Sequence, residues 1–228
     1  MQKTVITLLL FLTGLNLLYS QEYSRKTIFG VNAGCSLPYA EFAARTMTTR
    51  YAGFASPGMN MEIDLMRYMN RFFGFTSGIG YASFFFREKA YQAEYDRILP
   101  GYGENTVSAG NYQILTGVLG FILKIPETRH TEALIVCRLG IAMSVHPDLV
   151  VTNSKIGEIN TVSKNSNWNS AGYLGLKVNY WLTEKYGITL NYSLNSTRPN
   201  FSDDTGIGKS FFLPVRYMNI NAGFVMNL

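Results

Sequence analysis

The sequence predicts an all-β fold, an eight-stranded antiparallel up-and-down transmembrane β-barrel, on three observations. The last third of the chain alternates apolar and small polar residues with a period of two, which is the signature of strands with one greasy and one polar face. The same template recurs along the chain to give eight candidate strands, separated by gaps that are alternately long and short. Beyond the N-terminal segment no stretch supplies eighteen uninterrupted apolar residues, so a membrane protein built from this sequence has to cross with strands.

Each element follows in order. Lys3 is the one side-chain charge before Glu22, and Val5 to Leu18 form an apolar core closed by Tyr19, Ser20 and Gln21. Residues 1–20 therefore read as a secretory signal peptide and 21–228 as one barrel domain, the alternative being a single anchoring helix. The candidate strands cover 27–35, 58–66, 72–86, 110–124, 132–145, 168–181, 186–195 and 214–228. Their gaps at 67–71, 125–131 and 182–185 are short, whereas 36–57, 87–109, 146–167 and 196–213 are long. Outer-membrane barrels show this inequality, with tight periplasmic turns and longer outer loops.

The polar faces decide which side points inward. Opposite Ile188, Leu190, Tyr192 and Leu194 stand Gly187, Thr189, Asn191 and Ser193; opposite Ile220, Ala222 and Phe224 stand Asn219, Asn221 and Gly223. A soluble barrel would carry Lys, Glu and Arg on a water-facing side. Small polar residues instead suit the interior of an eight-stranded barrel, which side chains only just fill. The apolar face is thus expected to meet lipid. Aromatics are expected as interfacial girdles, with Tyr68, Phe72, Phe73, Tyr180, Trp181 and Tyr186 at the turn side. Phe84, Phe85, Phe86, Trp168, Tyr192, Phe211 and Phe212 fall on the loop side, and ordinary core packing is the alternative for both sets.

Four charges inside the strands share the polar phase: Glu62, Asp64, Arg138 and Lys177. Buried charges need partners, so these residues predict a luminal ion network that plugs the barrel. Its role reads as structural, with a gated ion path or a binding site as the alternative. The outer loops mix cations with aromatics at Tyr39, Arg45, Arg50, Tyr51, Arg87, Lys89, Tyr91, Tyr95 and Arg97. Such side chains suit phosphate or sugar groups, and Arg45, Arg50, Arg87, Lys89 and Arg97 are the candidate surface contacts.

Other chemistry is sparsely represented. The formal charge of +5 comes without a Lys/Arg run, which argues against a nucleic acid partner. His130 and His146 are the two histidines, and no spacing of His, Cys, Asp or Glu matches a metal centre, so neither metal nor cofactor is expected. His146 with Ser144 or Ser163 is the nearest approach to a hydrolase set, which keeps a lipid-modifying outer-membrane hydrolase of the lipid A deacylase kind as an alternative. Gly206 to Ser210 imitates the end of a phosphate-binding loop, but Asp203 stands where its first glycine is required. Cys35 and Cys137 fall in the apolar phase of separated strands and are expected as free buried thiols.

Three segments carry a family resemblance: Phe75 to Tyr81, Gly117 to Pro126 and Leu213 to Phe224. They resemble the PorT-like outer-membrane β-barrel domain proteins common in Bacteroidetes-type bacteria. Two positions depart from that pattern, Leu228 where such barrels usually end in an aromatic and Pro126 beyond the strand that usually holds it. The resemblance implies a location in the outer membrane of a Gram-negative cell envelope and, for one branch of the family, work within a protein-secretion system. The resulting expectation is a non-enzymatic envelope or interaction protein. Its partners would be outer-membrane lipid, lipopolysaccharide and an envelope protein. A periplasmic lipocalin-like carrier with the two faces exchanged is the other alternative.

Overall fold

The computed structural model describes residues 27–47, 52–98, 100, 103–125, 128, 130–202 and 210–228. The signal peptide expected over residues 1–20 lies outside them, as do Arg50, Tyr51 and most of the Gly206 to Ser210 stretch. Along the chain run β1 (Thr27–Pro38), a 3-10 turn (Ala40–Ala43), β2 (Ala55–Tyr68), β3 (Phe73–Phe86), helix α1 (Glu88–Ile98), β4 (Asn105–Ala109), β5 (Tyr112–Ile125) and β6 (Thr131–His146). There follow β7 (Leu149–Asn153), β8 (Gly157–Val162), β9 (Asn165–Trp181), β10 (Tyr186–Thr197), β11 (Asn200–Ser202), β12 (Ser210–Phe212) and β13 (Val215–Asn227).

Eight of these strands close a barrel in the cyclic order β1-β13-β10-β9-β6-β5-β3-β2, every neighbour antiparallel. The fold is the eight-stranded up-and-down barrel that the alternation predicts. Closure matters energetically because it pairs the edge groups of first and last strands, as in Cys35 opposite Ile220.

The three short connections are built from local polar side chains. Asn70 Oδ1 accepts from the backbone N–H of Phe72 and Phe73 at 2.9 and 2.8 Å. Thr183 Oγ1 accepts from the Tyr186 N–H at 2.9 Å, and Thr128 Oγ1 from Thr131 at 3.2 Å. These short side-chain-to-backbone bonds are what Asn and Thr contribute to turns. The long connections carry structure the periodicity did not reveal. Helix α1 packs on β4, while β4, β7 and β8 form a separate three-stranded sheet and β11 pairs with β12.

Side chains are distributed inside out relative to a soluble barrel. Leu190 is 63% exposed and Asn191 3%; Leu139 is 72% exposed and Arg138 1%. The lumen is nonetheless packed. Toward the long loops it holds Phe42, Phe84, Tyr112, Phe201, Leu213 and Tyr217, and toward the short turns Ile28, Met66, Tyr68, Ile122, Leu134 and Val225. Phe42 arrives from outside the strands, on the 3-10 turn, and is fully buried between the rings of Phe84 and Tyr112 at 5.1 Å each.

Two expectations require correction. Tyr68 and Phe84 are not girdle residues: both are fully buried in the lumen, because they share the inward phase of Asp64 and of Ala82. Trp181, Phe86 and Phe211 are partly buried against the internal clusters, whereas Phe72, Tyr180 and Tyr186 at one rim and Phe85, Trp168, Tyr192 and Phe212 at the other are exposed. The cysteines are free but exposed, not buried. The apolar phase faces outward in this barrel, so the thiols of Cys35 and Cys137 lie on the outer wall with their apolar neighbours.

Candidate functional site

The strand register brings charges from distant parts of the chain to the middle of the lumen. Glu62 and Asp64 alternate inward on β2, Arg138 on β6 and Lys177 on β9. Arg138 Nη1 donates to Glu62 Oε1, and the guanidinium lies 4.7 Å from the ring centre of Tyr173. Lys177 Nζ stands 2.6 Å from Asp64 Oδ2, which also accepts from Asn32 Nδ2 at 2.7 Å. Glycines supply the space: a Cβ on Gly78 would fall 2.9 Å from Arg138 Nη1, and one on Gly30 would fall 2.9 Å from Asp64 Oδ1. Buried ions of this kind hold only while each has its partner.

A second pair sits nearer the short turns and was missed by sequence reasoning. Lys124 Nζ lies 2.9 Å from Glu132 Oε1, Asn179 Nδ2 donates to Glu132 Oε2 at 3.0 Å, and the Lys124 ammonium rests 5.1 Å from the Tyr68 ring centre. The signal was available, since Lys124 shares the inward phase of Ile122 and Glu132 that of Leu134. Their positions at strand ends disguised them as turn residues. Tyr173 and Asn191, bonded at 2.9 Å, complete the polar layer.

Among the described residues the lumen is tightly filled. Between the two apolar plugs, small cavities of about 20 and 10 Å³ border Tyr173 and Tyr217. The larger, lined also by Asn60, Glu62, Asn195 and Asn219, has room for about one water molecule.

Among the described residues, two of the loop cations, Arg45 and Arg87, stand near each other. Arg45 and Lys89 are exposed. Arg87 is partly buried with Nη1 3.5 Å from Ala43 O, and burial followed by the nearby Arg45 charge lowers its pKa. Arg97 is tied to Glu94 at 3.1 Å, and Glu94 Oε2 accepts from the Met47 N–H at 2.9 Å. Hence Glu94, held by Arg97, ties α1 to the first loop.

His146 does not join a serine. Its Nδ1 lies 2.8 Å from Pro147 O and its Nε2 3.5 Å from Tyr112 Oη, while the ring packs edge-on against Tyr112, Phe201 and Phe211. Ser144 Oγ instead meets Asn169 Nδ2 at 3.4 Å, and Ser163 is exposed beyond β8. Among the described residues no group of three or more His, Cys, Asp and Glu side chains is placed to hold a metal ion, and no helix is long and apolar enough to cross a membrane.

No protein-family model and no curated protein sequence matches the chain. Solved structures similar to it include Neisserial surface protein A, with a TM-score of 0.45 at 12% identity over 89% of this chain and 97% of that one. Ail, the attachment invasion locus protein of Yersinia pestis, gives 0.46 at 10% identity over 90% and 100%. A major outer membrane protein from Thermus thermophilus gives 0.47 at 12% identity over 89% and 99%. At these identities the likeness is one of barrel architecture alone.

Proposed function

We propose that the protein is an integral barrel of the outer membrane, a non-enzymatic anchor that presents the α1 and β4-β7-β8 cap outside the cell. The observation that carries this reading is the inversion of the wall, with Leu190, Leu139 and Phe224 exposed and Asn191, Arg138 and Asn221 enclosed. A water-soluble lipocalin-like carrier needs the opposite arrangement, since such an apolar exterior would aggregate in water. Lipid accommodates that exterior, and closure leaves no unpaired strand edge in hydrocarbon.

The packed lumen favours a structural over a conducting role for the ion network. Work at the surface then falls to the loops and outer wall, with lipopolysaccharide and envelope proteins as the expected partners. The finer reading, an accessory of a secretion machine, rests on the three PorT-like segments, and a pull-down from detergent-solubilised envelope tests it. The primary test is fractionation: the protein is expected in the outer membrane and to shift in gel mobility on heating. Recovery in a detergent-free periplasmic extract overturns the proposal.

A further inference from the structure

We infer that the outer wall above β10 and β13 holds the phosphate of a phosphorylated glycolipid in the outer leaflet, with Arg198 and Arg216 as the binding pair; this rests on the outer-membrane reading above. The argument begins with height. Tyr186 and Met226 are cross-strand partners at the short-turn rim, and Ser196 and Arg216 are partners ten positions up both strands. At about 3.4 Å per residue and a tilt of about 40°, ten residues climb about 26 Å, close to the roughly 25 Å apolar band of such barrels. Arg216 thus stands where acyl chains give way to headgroups, and Arg198, two residues beyond Ser196, stands one step higher.

The outward columns below match that assignment. Ile188, Leu190 and Tyr192 rise toward Leu194 on β10, and Phe224 and Ile220 toward Met218 on β13. No acidic residue interrupts either column below the two arginines. Arg198 lies just past β10, between the Thr197–Val215 and Asn200–Phe212 pairs of one continued register; a position diagonal to Arg216 corresponds to Cβ atoms about 7–8 Å apart, near enough for both planar forks to reach one phosphate monoester.

The local chemistry prepares the forks. The Arg198 guanidinium lies 5.1 Å from the ring centre of Phe212, whose own exposure of 43% leaves that ring at the surface. Stacking on an aromatic face orients a guanidinium while leaving its edge for an anion. Arg216 Nη1 is 3.5 Å from Glu41 Oε2, and its side chain remains 45% exposed. Among the described residues Glu41 is the acid paired with Arg216 and competes with the ligand, while the two arginines outweigh its charge. A lipid with acyl chains against Leu194 and Met218 and a doubly charged phosphate at the arginines satisfies both halves of this surface.

The experiment uses the full chain folded in neutral detergent, with retained lipid measured by native mass spectrometry. The probes are bisphosphorylated lipid A, its dephosphorylated counterpart, phosphatidylglycerol and inorganic phosphate. The parent is expected to retain bisphosphorylated lipid A over the other lipids, and Arg198→Gln with Arg216→Gln to lower that retention by about tenfold or more. Glu41→Gln is expected to raise retention, and Arg67→Gln at the opposite rim to leave it unchanged. Equal retention by the double variant and the parent overturns the site, as does equal binding of phosphatidylglycerol. Displacement by millimolar inorganic phosphate identifies a free-phosphate site and overturns the glycolipid. The heat-dependent gel shift and membrane fractionation of each variant separate failure of this site from failure of the outer-membrane reading.

Discussion

Arg138 on β6 reaches past β5 and β3 to donate to Glu62 on β2, so that one ion pair joins opposite arcs of the barrel wall. Breaking it from either side strands a charge in a packed lumen. Glu62→Gln or Arg138→Ala is expected to destabilise the folded barrel by about 3–5 kcal/mol. Combining Glu62→Gln with Arg138→Met is expected to recover at least half of that loss. Reversible urea unfolding from lipid vesicles measures both, and additive losses in the combination would show that the residues do not act as a pair.

Gly78 gives this pair its room. A methyl at Gly78 meets Arg138 Nη1 at 2.9 Å, whereas one at Gly117, on the outer wall, meets nothing within 4 Å. Gly78→Ala is expected to cost about 1–3 kcal/mol and Gly117→Ala to be near neutral in the same unfolding assay. Equal costs would mean that backbone freedom, not space, sets the requirement at Gly78.

The wall assignment is testable one residue at a time. Leu190→Arg places a charge near the middle of the outer wall and is expected to cost about 2–4 kcal/mol in vesicle refolding. A spin label at Leu190 should respond to lipid-phase oxygen, and one at Asn191 should not. The reverse pattern would turn the barrel inside out.

Cys35 and Cys137 provide a chemical check, because they are unpaired and on the outer wall. A membrane-permeant thiol reagent is expected to label both in the folded, vesicle-inserted protein. A charged, impermeant maleimide is expected to label them only after unfolding. Protection from both reagents would place the thiols inside the barrel.

The clamp between α1 and the first loop depends on pH. Its Arg97 partner, and after that the Met47 N–H, hold the Glu94 carboxyl below its ordinary pKa. A depressed carboxyl stabilises the contact at pH values above its unfolded range, and that contribution fades as pH falls through the folded value. Hydrogen exchange at the Met47 amide is therefore expected to be slow at neutral pH and to accelerate, relative to intrinsic rates, on acidification below the usual carboxylate range. Glu94→Gln should lose that dependence.

The barrel was legible because period-two alternation reports both strand and face, as the Tyr186 to Leu194 run shows. Glu62, Asp64, Arg138 and Lys177 were legible as inward charges for the same reason. Their pairing was not, since Arg138 and Glu62 stand 76 positions apart and only the closed register brings them together. Tyr68 was misplaced by weighing its aromatic character above its phase. Helix α1 left a trace in Tyr91, Tyr95 and Ile98, four and three residues apart, which a search tuned to alternation passes over. The sheet of β4, β7 and β8 is assembled from strands of five or six residues drawn from two loops, too short to announce themselves singly.

The interior of the cylinder carries three acids, Glu62, Asp64 and Glu132, and three bases, Lys124, Arg138 and Lys177, among the described residues. A transmembrane voltage does work only on net charge displaced through it. Because each carboxylate is held by a cation, the field pulls the members of every couple in opposite directions and finds nothing to move as a unit. The staves of this barrel thus offer a transmembrane field no net charge to displace.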